Sequence, residues 1–121
     1  GYQPEAASDQ MVFDPAGPAD YAGADIVFTY EVDQAFIDSG ANLQPFFQLK
    51  DYASWDYHFC WIGNGDLALG EQTFTCTIPA TLENDNAPTI PDGQTAQVGV
   101  QTNGGGAGTV TISSVTINLA E

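Results

Sequence analysis

The chain has 121 residues and carries 16 Asp and Glu against one Lys, no Arg and one His, a formal charge of -15. With no set of cations for phosphate, nucleic acid is excluded as a partner, and repulsion disfavours anionic membranes and polyanionic polysaccharides. No apolar run approaches the roughly 20 residues of a membrane span, while 43% apolar and 12% aromatic residues suffice for one packed core.

The opening Gly1-Tyr2-Gln3-Pro4 reads as that of an excised or processed module. Residues 1–23 are rich in Pro, Ala, Gly and Asp, an irregular segment with one short candidate edge strand at Met11-Val12-Phe13. From there the pattern alternates with period two between turn residues. A strand is expected from Ile26 to Val32, then a turn at Asp38-Ser39-Gly40-Ala41-Asn42. Strands follow at Pro45 to Lys50, Trp55 to Ile62 and Thr73 to Ile78, the last two joined through Gly63-Asn64-Gly65-Asp66 and the stretch to Gly70. Leu82 to Gly93 reads as a surface loop, Ala96 to Thr102 as a strand, and Asn103 to Gly108 as a glycine-rich hairpin connection. Val110 to Leu119 closes the chain as one strand or two. No stretch of helical period is long enough to assign a helix. The expected fold is all-β: an antiparallel β-sandwich or jelly roll, one domain over residues 1–121.

Cys60 and Cys76 are the two cysteines. A structural zinc site wants four ligands, and the only other soft ligand is His58. A reactive thiolate wants a basic neighbourhood that this chain lacks. The expectation is a disulfide joining adjacent strands, closing a loop of about 15 residues and stabilising by roughly 3 kcal/mol. That bond implies an oxidising compartment, so secretion or the periplasm. The scarcity of cations suits a saline habitat, where repulsion is screened.

Asking which residues the core can absorb gives the functional clue. Phe74, Cys76 and Ile78 share one face of their strand, and Thr73, Thr75 and Thr77 the other. If Cys60 pairs with Cys76 on the core face, His58 and Ile62 point inward, and Trp55, Tyr57, Phe59 and Trp61 point outward. By the same alternation Phe47, Leu49, Val98 and Val100 are inward, and Gln48, Lys50, Gln97, Gly99 and Gln101 outward. With Ile26, Phe28, Tyr30 and Val32 inward, Thr29 and Glu31 also face out. Aromatic rings beside amides suit a neutral sugar, whose C–H faces stack and whose hydroxyls need paired donors and acceptors. The opposite register is open too: it puts Phe59 and Trp61 in the core and the cysteines outside. His58 reads as a hydrogen-bonded structural residue. Lys50 reads either as a salt-bridge partner of Glu31 or Asp51 or as a donor to sugar hydroxyls.

Three segments carry a resemblance: Val27-Phe28-Thr29-Tyr30-Glu31-Val32, Asn42-Leu43-Gln44-Pro45-Phe46-Phe47-Gln48, and the closing Thr109-Val110-Thr111-Ile112-Ser113-Ser114-Val115-Thr116-Ile117. Together with the Trp55 strand, and over residues 24–119, they resemble non-catalytic carbohydrate-binding modules of the β-jelly-roll, galactose-binding-like type, similar to those attached to mannanases and β-glucanases. Ser113-Ser114-Val115 stands where that family's last strand often carries an Asp. The resemblance implies an accessory module that holds a glycoside hydrolase on its polysaccharide. Trp55, Tyr57 and Trp61 would stack, and Gln48, Lys50, Gln97 and Gln101 would hydrogen-bond. At this charge alginate, pectate and sulfated glycans are rejected, leaving neutral β-mannan, β-glucan or xylan, with the first two expected.

Two other classes compete. A glycosidase needs only two carboxylates at a set separation, but most carboxylates here fall at turns, and no Ser-His-Asp signature is present. An adhesin-like sandwich would show an exposed edge or an aliphatic patch rather than aromatics and amides. No cofactor is required, although the Asp-rich stretches Asp14 to Asp25 and Glu83 to Asp92 offer oxygen ligands for a structural Ca²⁺. The module is expected to act as a monomer.

Overall fold

The computed structural model describes residues 10–12, 19–49, 56–90, 96–104 and 107–120. Alternating apolar positions set its strands. In β3 (Asp25–Val32), Ile26, Phe28, Tyr30 and Val32 are buried while the residues between them are half-buried or exposed. The other strands in chain order are β1 (Gln10–Val12), β2 (Ala19–Asp20), β4 (Asn42–Leu49), β5 (Asp56–Phe59), β6 (Gln72–Thr77), β7 (Thr89–Ile90), β8 (Ala96–Asn103) and β9 (Val110–Asn118). All pairings are antiparallel.

Two sheets face each other. One has the order β1-β8-β4-β5 and the other β6-β3-β9, with β2 and β7 forming a small separate pair. Phe47, Leu49, Val98, Val100 and Ile62 from the first meet Ile26, Phe28, Tyr30, Val32 and Cys76 from the second in one core. This is the expected β-sandwich.

Several expectations about connections change. Asn103 to Gly108 is not a hairpin: β8 and β9 lie in different sheets, so this run carries the chain across the sandwich. Val110 to Asn118 is a single strand, with a register shift against β3 between Thr29 and Tyr30. The segment before Gly40 contains a helix, α1 (Gln34–Asp38), too short for a periodic signal. Asp33 caps it, accepting from the Phe36 N–H at 2.9 Å, and Phe36 is fully buried. The stretch from Leu82 is not wholly surface: Leu82, Pro88 and Ile90 are buried, and Ile90 belongs to β7.

The cysteines are bonded as expected, with Cα atoms 5.8 Å apart, but not between neighbouring strands. Cys60 follows β5 in one sheet and Cys76 sits in β6 of the other. The bond therefore ties the two sheets through the core.

Candidate functional site

The outer surface of β1-β8-β4-β5 is set by β4, which is paired with β8 on one side and β5 on the other. Leu43, Phe47 and Leu49 of β4 point into the core, so Asn42, Gln44, Phe46 and Gln48 share the opposite face. Pairing carries this parity sideways. Gln48 is opposite Gln97 of β8 and Tyr57 of β5, and Phe46 is opposite Gly99 and Phe59. Gln44 is opposite Gln101, and the bridge between Leu43 and Ile62 puts Gln44 level with Trp61. Three rows therefore cross the face. Two run amide, amide, aromatic: Gln97–Gln48–Tyr57 and Gln101–Gln44–Trp61. Between them lies the apolar row Gly99–Phe46–Phe59.

The rows are tied internally. The Gln48 side-chain NH₂ donates to the Gln97 side-chain oxygen at 2.6 Å, and that of Gln101 donates to Gln44 at 3.2 Å. Each cross-strand bond fixes two amides against each other within its row. Phe59 links the aromatics, its ring centroid 5.1 Å from Tyr57 and 5.5 Å from Phe46, both tilted as ring quadrupoles prefer. Trp61 is 53% exposed, a large apolar ring that folding leaves in water.

Local chemistry explains the position of Trp61. Pro45, in the middle of β4, has no N–H to give its neighbour. β5 ends at Phe59; the Cys60 N–H still donates to the Pro45 carbonyl at 2.7 Å, but Pro45 returns no bond, and the full exchange of bonds is restored at Leu43 and Ile62. Beyond it a 3₁₀ turn (Asn64–Asp66) is pinned by Asn64: its side chain donates to the Ile37 and Ala41 carbonyls, and its backbone N–H to Asn42. The indole lies over Gly63, where a Cβ would stand in ordinary contact, 3.4 Å from Trp61 Nε1.

The other end of β5 is fixed by Asp56, which is fully buried. Its carboxylate accepts from the backbone N–H groups of Tyr57, Asn84 and Asn86 and from the Asn86 side chain, at 2.8 to 3.0 Å. Burial alone would push this carboxyl up; the donors from Asn84, Asn86 and Tyr57 outweigh it and hold it below the ordinary range. The Glu83 N–H also donates to the Tyr57 carbonyl at 3.1 Å. Residues 82–86 thus close the outer edge of β5 beside Tyr57.

Of the residues expected to bind sugar, Gln48, Tyr57, Trp61, Gln97 and Gln101 fall on this one face. Lys50 and Trp55 lie outside the described residues. Gln44 and Phe59, not expected as site residues, share the face, and Phe46 lies fully buried beneath it. Gln44 has the same parity as Gln48 four residues on, which was the available signal. Glu31 and Thr29 do not join the face; they lie on the outer side of the other sheet, because alternation tells inside from outside without saying which outside.

His58 points to the core side, 3.6 Å from Glu83 through Nδ1 and 3.7 Å from the Cys60 sulfur through Nε2. These ligand atoms and the Cys76 sulfur cluster within 4.8 Å, but the sulfurs are bonded to each other and offer no thiolate. Among the carboxylates, Asp56 and Asp20 direct lone pairs at N–H donors, Asp20 accepting from Ala22 at 3.0 Å.

Comparison with known proteins bears on this face. The family model described as "Carbohydrate binding domain (family 15)" matches residues 5–121. The endo-beta-1,4-xylanase Xyn10C of Cellvibrio japonicus is 40% identical over 114 residues, which is 91% of this chain and 18% of the xylanase. A solved "xylan-binding module CBM15" superposes with a TM-score of 0.77 at 34% identity, covering 100% of this chain and 82% of that one. A mutant Xylanase10C from Cellvibrio japonicus in complex with xylopentaose superposes at 0.68 and 33% identity, over 94% of this chain and 21% of that one.

Proposed function

The chain belongs to the family 15 carbohydrate-binding domains, and on that footing we propose that it binds xylan and holds an attached xylanase against it. It is a non-catalytic binding module, so neither the glycosidase nor the adhesin reading is needed. Xylan replaces the β-mannan or β-glucan that the sequence suggested, because the relatives are a xylanase and a xylan-binding module. Mannanases and β-glucanases do not appear among those relatives.

The observation that carries the reading is the pair of amide, amide, aromatic rows on one sheet face. Tyr57 and Trp61 offer rings to the sugar faces; Gln48, Gln97, Gln44 and Gln101 offer donors and acceptors to hydroxyls. Lys50 and Trp55 extend the same proposal. A shallow face of this kind gives Kd values on the order of 10⁻³ to 10⁻⁶ M. The reading requires no cofactor and one copy of the chain, and a disulfide-bonded polysaccharide binder works outside the cytoplasm.

Affinity electrophoresis through gels containing xylan, β-mannan or β-glucan tests it. Retardation is expected on xylan, lost in Trp61→Ala and Tyr57→Ala while the thermal midpoint of Trp61→Ala stays within a degree or two. No retardation on xylan, or retardation that both variants keep, would overturn the assignment.

A further inference from the structure

Natural xylans differ in what hangs from the backbone: some carry neutral sugars, others uronic acids with a carboxylate. The face described above bears on that difference. Its three rows are uncharged, but carboxylates stand at both ends of β5. At the Trp61 end, the position a Cβ on Gly63 would occupy is 3.4 Å from the indole nitrogen and 3.8 Å from an Asp66 carboxylate oxygen, so ring and charge flank one glycine. At the Tyr57 end, the Glu83 N–H donates to the Tyr57 carbonyl while the Glu83 carboxylate turns to His58 on the core side, leaving Asp85, two residues later in the same turn, as the rim charge. Asp66, Glu83 and Asp85 are all exposed. No Lys or Arg stands beside Asp66 or Asp85 among the described residues, Lys50, the chain's only Lys or Arg, lying outside these, and His58 faces Glu83 alone.

We propose that this acidic rim makes the module select within xylans, favouring an uncharged or neutrally substituted backbone over one carrying uronic acid side groups. The inference rests on the xylan reading. A uronate held against the rows comes near one or more of these carboxylates, and at physiological salt charges interact over only ~8 Å. Selection then comes from repulsion of the wrong ligand rather than from added attraction to the right one.

Titration calorimetry at low and high NaCl tests this with three ligands: a neutral arabinoxylan, a glucuronoxylan, and the same glucuronoxylan after chemical reduction of its carboxyl groups. At low salt the glucuronoxylan is expected to bind roughly two- to fivefold more weakly than its reduced form, as a few exposed charge contacts allow. The gap closes in high salt. The double variant Asp66→Asn with Asp85→Asn narrows it at low salt while leaving arabinoxylan affinity unchanged; Asn tolerates the positive φ of 70° at position 85. Equal or tighter binding of the glucuronoxylan at low salt, or a gap indifferent to salt, overturns the proposal with xylan binding intact. Failure of all three ligands to bind overturns the xylan reading and this inference together.

Discussion

Asp56 takes part in the site without touching it. It accepts four hydrogen bonds in a fully buried position, three of them from residues 84 and 86, and so fastens a loop to the strand that presents Tyr57. Its carboxyl is held below the ordinary 3.8, as is that of Asp33, where Thr109 and Phe36 N–H groups donate. A depressed folded-state pKa gives stability that is present above the unfolded value and is lost as pH falls through the folded one. Melting temperature should therefore decline on acidification below about pH 4, the ordinary carboxylate range. Asp56→Asn should cost about 1–3 kcal/mol at pH 7 and flatten that decline; an unchanged midpoint at pH 7 would remove Asp56 from this role. None of this was legible in the sequence, since the donors stand 28 and 30 residues away. Gln48, Tyr57 and Trp61 were legible, because one assumption, that the cysteines face the core, fixed the parity of everything around them.

Elements were readable where alternation is strong, and β3 and β6 came out close to their observed spans. Their assignment to sheets was not readable. A glycine-rich run before β9 looks the same whether it turns back on β8 or crosses to the other sheet, and the difference lies in what it must pass. Gly108 passes α1: its φ is +86°, and a Cβ there would collide with the backbone of Phe36 and the Asp33 carboxylate. That carboxylate also accepts from the Thr109 N–H at 3.0 Å, so helix cap and crossover share one anchor. Gly108→Ala should destabilise by more than the roughly 1–2 kcal/mol that left-handed backbone alone costs a residue with a Cβ. Chemical denaturation checks it, and a loss below 1 kcal/mol would show that the helix gives way cheaply. The inter-sheet disulfide makes the same point: inward parity at Cys60 and Cys76 was correct, yet inward residues of facing sheets and of neighbouring strands leave identical patterns in sequence.

The whole molecule carries -15 in 121 residues with almost nothing to offset it. Such a charge opposes the compact state through self-repulsion, which added salt screens. The melting temperature should rise as NaCl goes from low to about 0.5 M, where the Debye length falls below ~5 Å; a flat response would mean the carboxylates are too dispersed to matter. The wiring of the sheets bears on how this chain reaches its fold. Among the described strands only β4 and β5 are sequence neighbours that pair. β3 lies between β6 and β9, so residue 25 waits for residue 118 before its sheet is complete. Topologies dominated by such distant pairings fold in milliseconds to seconds rather than microseconds. A ribosome still making β9 therefore holds a chain whose central strand has β6 but not β9 to pair with, and that sheet is complete only once β9 has been made.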